Sequence, residues 1–177
     1  MYFKVGTPLL DILEACGENK TLNNKSKDKI LNFCKIELEK GDCLVTNEIE
    51  AVFLNTWFNN QDEVIMPKIS NKFSLSDKYT FGDKNLIQDF EEYKGDNGYY
   101  IFCYTKNKEG DIIKKQLTYR SKPLKDFLVD GGTEDILFDN NNDNIVNSRM
   151  IIKSCINDKG VKETKIYNDM NLDGKLD

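Results

Sequence analysis

The residues with the most pointed chemistry stand at the end of the sequence. Asp169, Asn171 and Asp173 alternate with Met170 and Leu172, and Gly174, Lys175, Leu176 and Asp177 follow, giving the pattern D-x-N-x-D-G-x-L-D. Alternate residues of a tight loop can aim their oxygens at one point, and calcium takes six to eight such hard oxygens. Here Asp169, Asn171 and Asp173 would supply side-chain oxygens and Lys175 a backbone carbonyl. Gly174 would permit the sharp turn, Leu176 would anchor the loop in the core, and Asp177 would act directly or through water. Thirty residues upstream the pattern recurs as Asp139-Asn140-Asn141-Asn142-Asp143-Asn144-Ile145-Val146. Its candidate ligands are Asp139, Asn141, Asp143 and the carbonyl of Ile145, with Asn147 at position 9. Asn144 replaces glycine, an exchange asparagine tolerates because it visits left-handed backbone conformations. The twelfth position, which ordinarily carries a bidentate glutamate, is Met150 in the upstream loop, and the downstream loop can be read only to its ninth position. A further ligand is therefore expected from Glu134, Asp135, Asp158 or the terminal carboxylate. The competing expectation is a pair of solvated Asx turns, since Asn and Asp form turns readily.

On those nine and eight residues the tail resembles the calcium loops of EF-hands and dockerin-like modules, and the resemblance implies calcium binding. The missing carboxylates predict weak sites, of about 10⁻⁴ to 10⁻³ M. Such sites are useful where calcium is plentiful, which favours an exported or cell-surface bacterial protein; without calcium sites a cytoplasmic setting is expected. The opening residues, Met1 to Val5, carry no basic and apolar segment that reads as a signal peptide. A third, degenerate resemblance lies near the N-terminus. With Glu37 at loop position 1, Glu39 falls at position 3, Leu44 at the apolar position 8 and Glu48 at position 12. Gly41 at position 5 and Asp42 at position 6 depart from the pattern.

Composition narrows the chemistry further. The 177 residues include no histidine, so imidazole catalysis and His-ligated zinc or haem are excluded. The net charge is −5, and residues 130–177 carry −4 of it with ten acids and six bases. That balance argues against a duplex-DNA binder, which needs a basic face. Five widely spaced cysteines without a C-x-x-C pair make neither a disulfide framework nor a zinc site. No stretch approaches the roughly 20 apolar residues of a membrane span.

The elements that must position these residues follow from hydrophobic period. Thr7-Pro8 with Leu9, Ile12, Leu13 and Cys16 predicts a helix capped by Thr7 and closed at Gly17. A second helix is expected from about Ser26 to Leu38 and a third from Thr46 through Trp57. Asp83 to Tyr93 also shows helical spacing, through Leu86, Ile87, Phe90 and Tyr93. Tyr99–Thr105 and Asp111–Arg120 predict a hairpin about Asn107-Lys108-Glu109-Gly110, Pro123 opens a short helix, and Ser148–Ile156 with Val161–Asn168 predict a second hairpin. The expected fold is α+β: a helical, EF-hand-like region over 1–62, then an antiparallel β-rich region with hairpins over 63–177. In the strand after Gly98, Tyr100, Phe102 and Tyr104 share one face. Burial in the core is the first reading; an exposed platform for carbohydrate or single-stranded nucleic acid is the alternative.

Together these readings predict a non-enzymatic, calcium-stabilised interaction module whose partner is a protein. A metal-independent inhibitor acting through its acidic surface, host- or phage-encoded, is the alternative. A carboxylate-only hydrolase using Glu91-Glu92 or Asp130 with Glu134 is the third.

Overall fold

The computed structural model describes residues 2–175. Three helices come first: α1 (Leu9–Glu18), α2 (Asn24–Glu39) and α3 (Glu48–Phe58). Asn23 and Asn47 cap α2 and α3 by accepting the N–H groups of Ser26 and Glu50. The expected Thr7 cap of α1 is corrected: Pro8 holds the N-cap position, Thr7 takes the N–H of Lys4 instead, and the helix runs through Gly17 to Glu18.

Seven strands follow: β1 (Leu75–Gly82), β2 (Ile87–Lys94), β3 (Tyr99–Lys106), β4 (Ile112–Arg120), β5 (Gly132–Asp139), β6 (Ser148–Ile156) and β7 (Lys162–Asp169), with α4 (Leu124–Asp130) between β4 and β5. They form one antiparallel sheet in the order β1-β2-β3-β4-β5-β6-β7, each strand beside its chain neighbours. The fold is α+β, helices first and sheet second. The two regions share a core that runs from Phe3 and Leu9 through Phe53 and Trp57 to Phe102, Leu117, Leu137 and Leu172.

One expected element changes type. Asp83 to Tyr93 is no helix but the β1–β2 turn followed by β2. Asp83 accepts the N–H groups of Asn85 and Leu86, which sets the turn, and β2 pairs with a strand on each side. The three-residue spacing of Ile87, Phe90 and Tyr93 places successive members on opposite faces of a strand. Both faces use them: Phe90 stacks on Tyr79 while Tyr93 packs against Phe102.

The face of the sheet toward α1–α3 is apolar except where the seam between layers is charged. Arg149 of β6 lies there with 3% of its side chain exposed. Its guanidinium holds Asp135 of β5 through two hydrogen bonds of 2.9 and 2.7 Å, faces Glu50 of α3 at 3.7 Å, and lies over the rings of Phe33 and Phe53. Burial disfavours its charge, but Asp135, Glu37 and Glu50 outweigh that and hold it protonated more firmly than usual. Asn47 ties the cap of α3 to the same Asp135 at 3.3 Å. Glu50 in turn accepts both the backbone N–H and the hydroxyl of Thr46.

Burial, then the neighbouring Glu37, pushes the Glu50 carboxyl well above its ordinary 4.5, while Arg149 pulls it down. The folded protein therefore holds a proton that the unfolded chain releases. Stability from this group is full below pH 4.5 and is lost as pH rises through the raised value. Glu50→Gln, which imitates the protonated form, is expected to flatten the decline of the urea midpoint with rising pH. Equal slopes in the two proteins would refute this account.

Candidate functional site

Both Asp/Asn loops begin at the last residue of a strand, Asp139 ending β5 and Asp169 ending β7. Both aspartates are buried, at 0% and 1% exposure, on the helix-facing side of the sheet. Their carboxylates organise the loops that follow. Asp139 accepts the N–H groups of Asn141 and Asp143 on Oδ1, at 3.4 and 3.3 Å, and that of Asn144 on Oδ2 at 2.9 Å. Asp169 accepts Asp173 N–H on Oδ1 at 3.2 Å and Gly174 N–H on Oδ2 at 3.0 Å.

The remaining wiring repeats as well. Asp143 accepts Ile145 N–H at 2.9 Å, and Asp173 accepts Lys175 N–H at 2.8 Å. The side-chain amides of Asn141 and Asn171 donate to Asp143 and Asp173 at 3.1 and 3.2 Å. Left-handed backbone occurs at Asn142 and Asn144 in one loop and at Leu172 and Gly174 in the other, with φ of 56 and 71° against 56 and 83°. The thirty-residue register of the sequence is thus a register of conformation. Carboxylate oxygens offer about four acceptor sites, so these bonds leave capacity on each aspartate.

The loops rest on different supports. Val146, at position 8 of the upstream loop, is buried and donates to Val64 O, while Asn144 O accepts Met66 N–H. The downstream loop sits on α2, where a Cβ built on Gly174 would lie 2.5 Å from Lys29 O. Leu172 enters the core beside it. Leu176 and Asp177, the expected anchor and ninth-position ligand, lie outside the described residues.

Electrostatics separate the two sites. N–H donation from Ile145 holds the Asp143 carboxyl below its usual value. Burial raises that of Asp169, against the pull of the Gly174 and Asp173 N–H groups. Each first aspartate stands directly across the sheet from a cation, Asp139 beside Lys115 and Asp169 beside Arg149. Lys115 reaches into the upstream loop and donates to Asn144 Oδ1 at 2.8 Å. Nothing in the sequence pattern announced these two cations, because strand register, not chain spacing, brings them to the loops.

Other expected residues are dispersed. Of the supplementary ligands, Asp135 is committed to Arg149, Glu134 faces Arg120 at 3.7 Å, and Asp158 is at the exposed tip of the β6–β7 turn. Glu37, Glu39 and Glu48 do not converge. Glu37 is buried on Lys40 at 2.6 Å, Glu39 is exposed, and Glu48 pairs with Lys72 at 2.8 Å. Leu44, the expected apolar anchor of that loop, is 46% exposed while Val45 takes the core position. The connection between α2 and α3 sends its backbone bonds to the Gly6–Leu9 turn. Tyr100 and Phe102 are buried, so these rings form no open platform on the surface, although Phe102 and Tyr104 both line a cleft beneath the α3–β1 segment. The hydroxyl of Tyr100 accepts Glu48 N–H at the start of α3. Tyr104 is half-buried. Strand alternation sends the adjacent Glu91 and Glu92 to opposite faces, so they form no catalytic pair.

Among the described residues no group of three or more His, Cys, Asp or Glu side chains is placed to hold a metal ion, and each loop brings two carboxylates with one amide and carbonyl oxygens. Among the described residues no helix is long and apolar enough to cross a membrane. No protein-family model, curated protein or solved structure matches the chain.

Gly174→Ala tests the downstream loop. Its φ of 83° and the closeness of Lys29 O both oppose a Cβ. A loss of about 1–3 kcal/mol in urea unfolding is expected, whereas Asn144→Gly, at an equally left-handed position, should be nearly neutral. Equal effects at the two positions would contradict the assignment.

Proposed function

We propose that the chain is a non-enzymatic, calcium-stabilised interaction module, each Asp/Asn loop taking one calcium ion. The reading rests chiefly on one observation: two loops of different surroundings repeat the same carboxylate-to-backbone wiring and the same left-handed positions. The β3–β4 and β6–β7 turns also repeat each other, but each is set by a single asparagine accepting two N–H groups, with no carboxylate among the described residues taking a loop N–H. The Asp/Asn loops differ in gathering two carboxylates and an amide apiece. In the upstream loop the ligands would be Asp139, Asn141, Asp143 and the Ile145 carbonyl. In the downstream loop they would be Asp169, Asn171, Asp173 and the Lys175 carbonyl, with Asp177 as a further candidate. Water would complete both shells.

Bound calcium would relieve the repulsion of the paired aspartates and fix the ends of β5 and β7, stabilising the fold by mass action. The ligand count supports weak sites, of about 10⁻⁴ to 10⁻³ M, which suits an exported protein. Lys115 weakens the upstream site further, because its ammonium already supplies positive charge there.

In 10 mM calcium each occupied site should add about 1.4–2.7 kcal/mol, a rise of several degrees in melting temperature that chelator reverses. Asp173→Ala should remove the downstream share and Asp143→Ala the upstream one. A melting curve indifferent to calcium would end this reading. Separately, Lys115→Met should tighten calcium binding in titration calorimetry by about tenfold; unchanged or weaker binding would show that the lysine does not compete.

A further inference from the structure

The segment joining α3 to β1 folds back over the sheet and forms one wall of an open cleft of about 310 Å³. Tyr93, Phe102 and Tyr104 form its aromatic side, Met66 stands against them, and Lys68 and Lys115 supply its charge. Phe102 and Tyr104 present nearly parallel rings, 12° apart with centroids at 5.8 Å. Lys115 is the cross-strand neighbour of Tyr104, so an ammonium stands beside the rings by register.

The charge of this cleft runs against that of the protein. Acids outnumber bases 30 to 25 in the sequence, yet no residue lining the cleft is acidic. Neither lysine forms an ion pair among the described residues. Lys115 bonds instead to the neutral amide oxygen of Asn144, and its other cross-strand neighbour, Asp139, directs its carboxylate to three loop N–H groups and makes no ion pair with it. Two cations at a concave wall of mixed aromatic and polar groups focus positive potential into the space between them. Ligand cavities of this size typically pair aromatic walls with a few fixed polar groups.

We propose that this cleft binds a small planar organic anion of the aromatic carboxylate class, its ring against Phe102 and Tyr104 and its carboxylate between Lys68 and Lys115. Ring contact supplies apolar burial, and the ligand's carboxylate supplies the counter-charge that the two ammonium groups lack within the protein. The site needs no metal; it shares Lys115 and Asn144 with the border of the upstream loop, so its test is run without calcium.

Benzoate is a suitable probe, titrated into the full chain in the presence of chelator and followed by calorimetry and ligand-observed NMR. Benzamide removes the charge, cyclohexanecarboxylate the flat ring, and inorganic phosphate everything but the charge. Saturable benzoate binding is expected, with each of the three controls about tenfold weaker or worse. Lys115→Met should reduce benzoate affinity by about tenfold. Lys68→Met, at an exposed position that the fold does not need, should do so several-fold. Absence of saturable benzoate binding up to 20 mM would overturn the proposal. So would equal binding of phosphate or cyclohexanecarboxylate, or affinity unchanged in a folded Lys68→Met protein.

Discussion

Burying an arginine between two layers commits everything around it. Arg149 has lost its water, and a guanidinium without partners in such a place would cost several kcal/mol. Asp135 meets it with a bidentate pair, Glu50 adds a carboxyl oxygen at 3.7 Å, and Phe33 and Phe53 cover its faces. These partners come from β5, α3 and α2, so satisfying one side chain fixes the helices on the sheet. Asn47 extends the constraint by capping α3 with one end of its amide and reaching Asp135 with the other. The bidentate pair itself lies within the sheet, between β5 and β6; Asn47, Glu50 and the two rings carry its constraint to the helices.

The same constraint reaches the loops. Arg149 lies across from Asp169, and the next row of the sheet holds Tyr104, Lys115 and Asp139 side by side. Each loop therefore begins on an aspartate placed next to a fixed cation and buried on the layer that the helices cover. The loops are extensions of the core, held by Val146 and Leu172, and are not appendages of the surface.

Much of this was legible in the residues. The three helices, the hairpins about Asn107 and Asn157 and the two-sided burial of β3 follow from period and turn chemistry, which act over a few residues. β2 was misread because Ile87, Phe90 and Tyr93 satisfy a helical period by chance, and only its two flanking strands decide the matter. The loops declared themselves through local spacing. Their cations did not, nor did the lysine-lined cleft, since Lys115 is 24 residues from Asp139 and meets it only through register. In the helix connection at Glu37 to Glu48, charge and spacing were visible while burial was not. Glu37 belongs to the seam of Arg149, where its chemistry is that of a buried ion pair.

The strictly sequential order of the sheet has a consequence for how the molecule assembles. Every strand pairs with its neighbour in the chain, so hairpins can close over short loops at little entropic expense and on microsecond timescales. The bonds that join distant parts include two kinds: Asn47 to Asp135, across 88 residues, ties α3 to the sheet, and Val146 to Val64 with Met66 to Asn144 ties the segment after α3 to the upstream loop. The contacts between the helical layer and the sheet are thus among those of largest chain separation, and Arg149 must shed its water as they form.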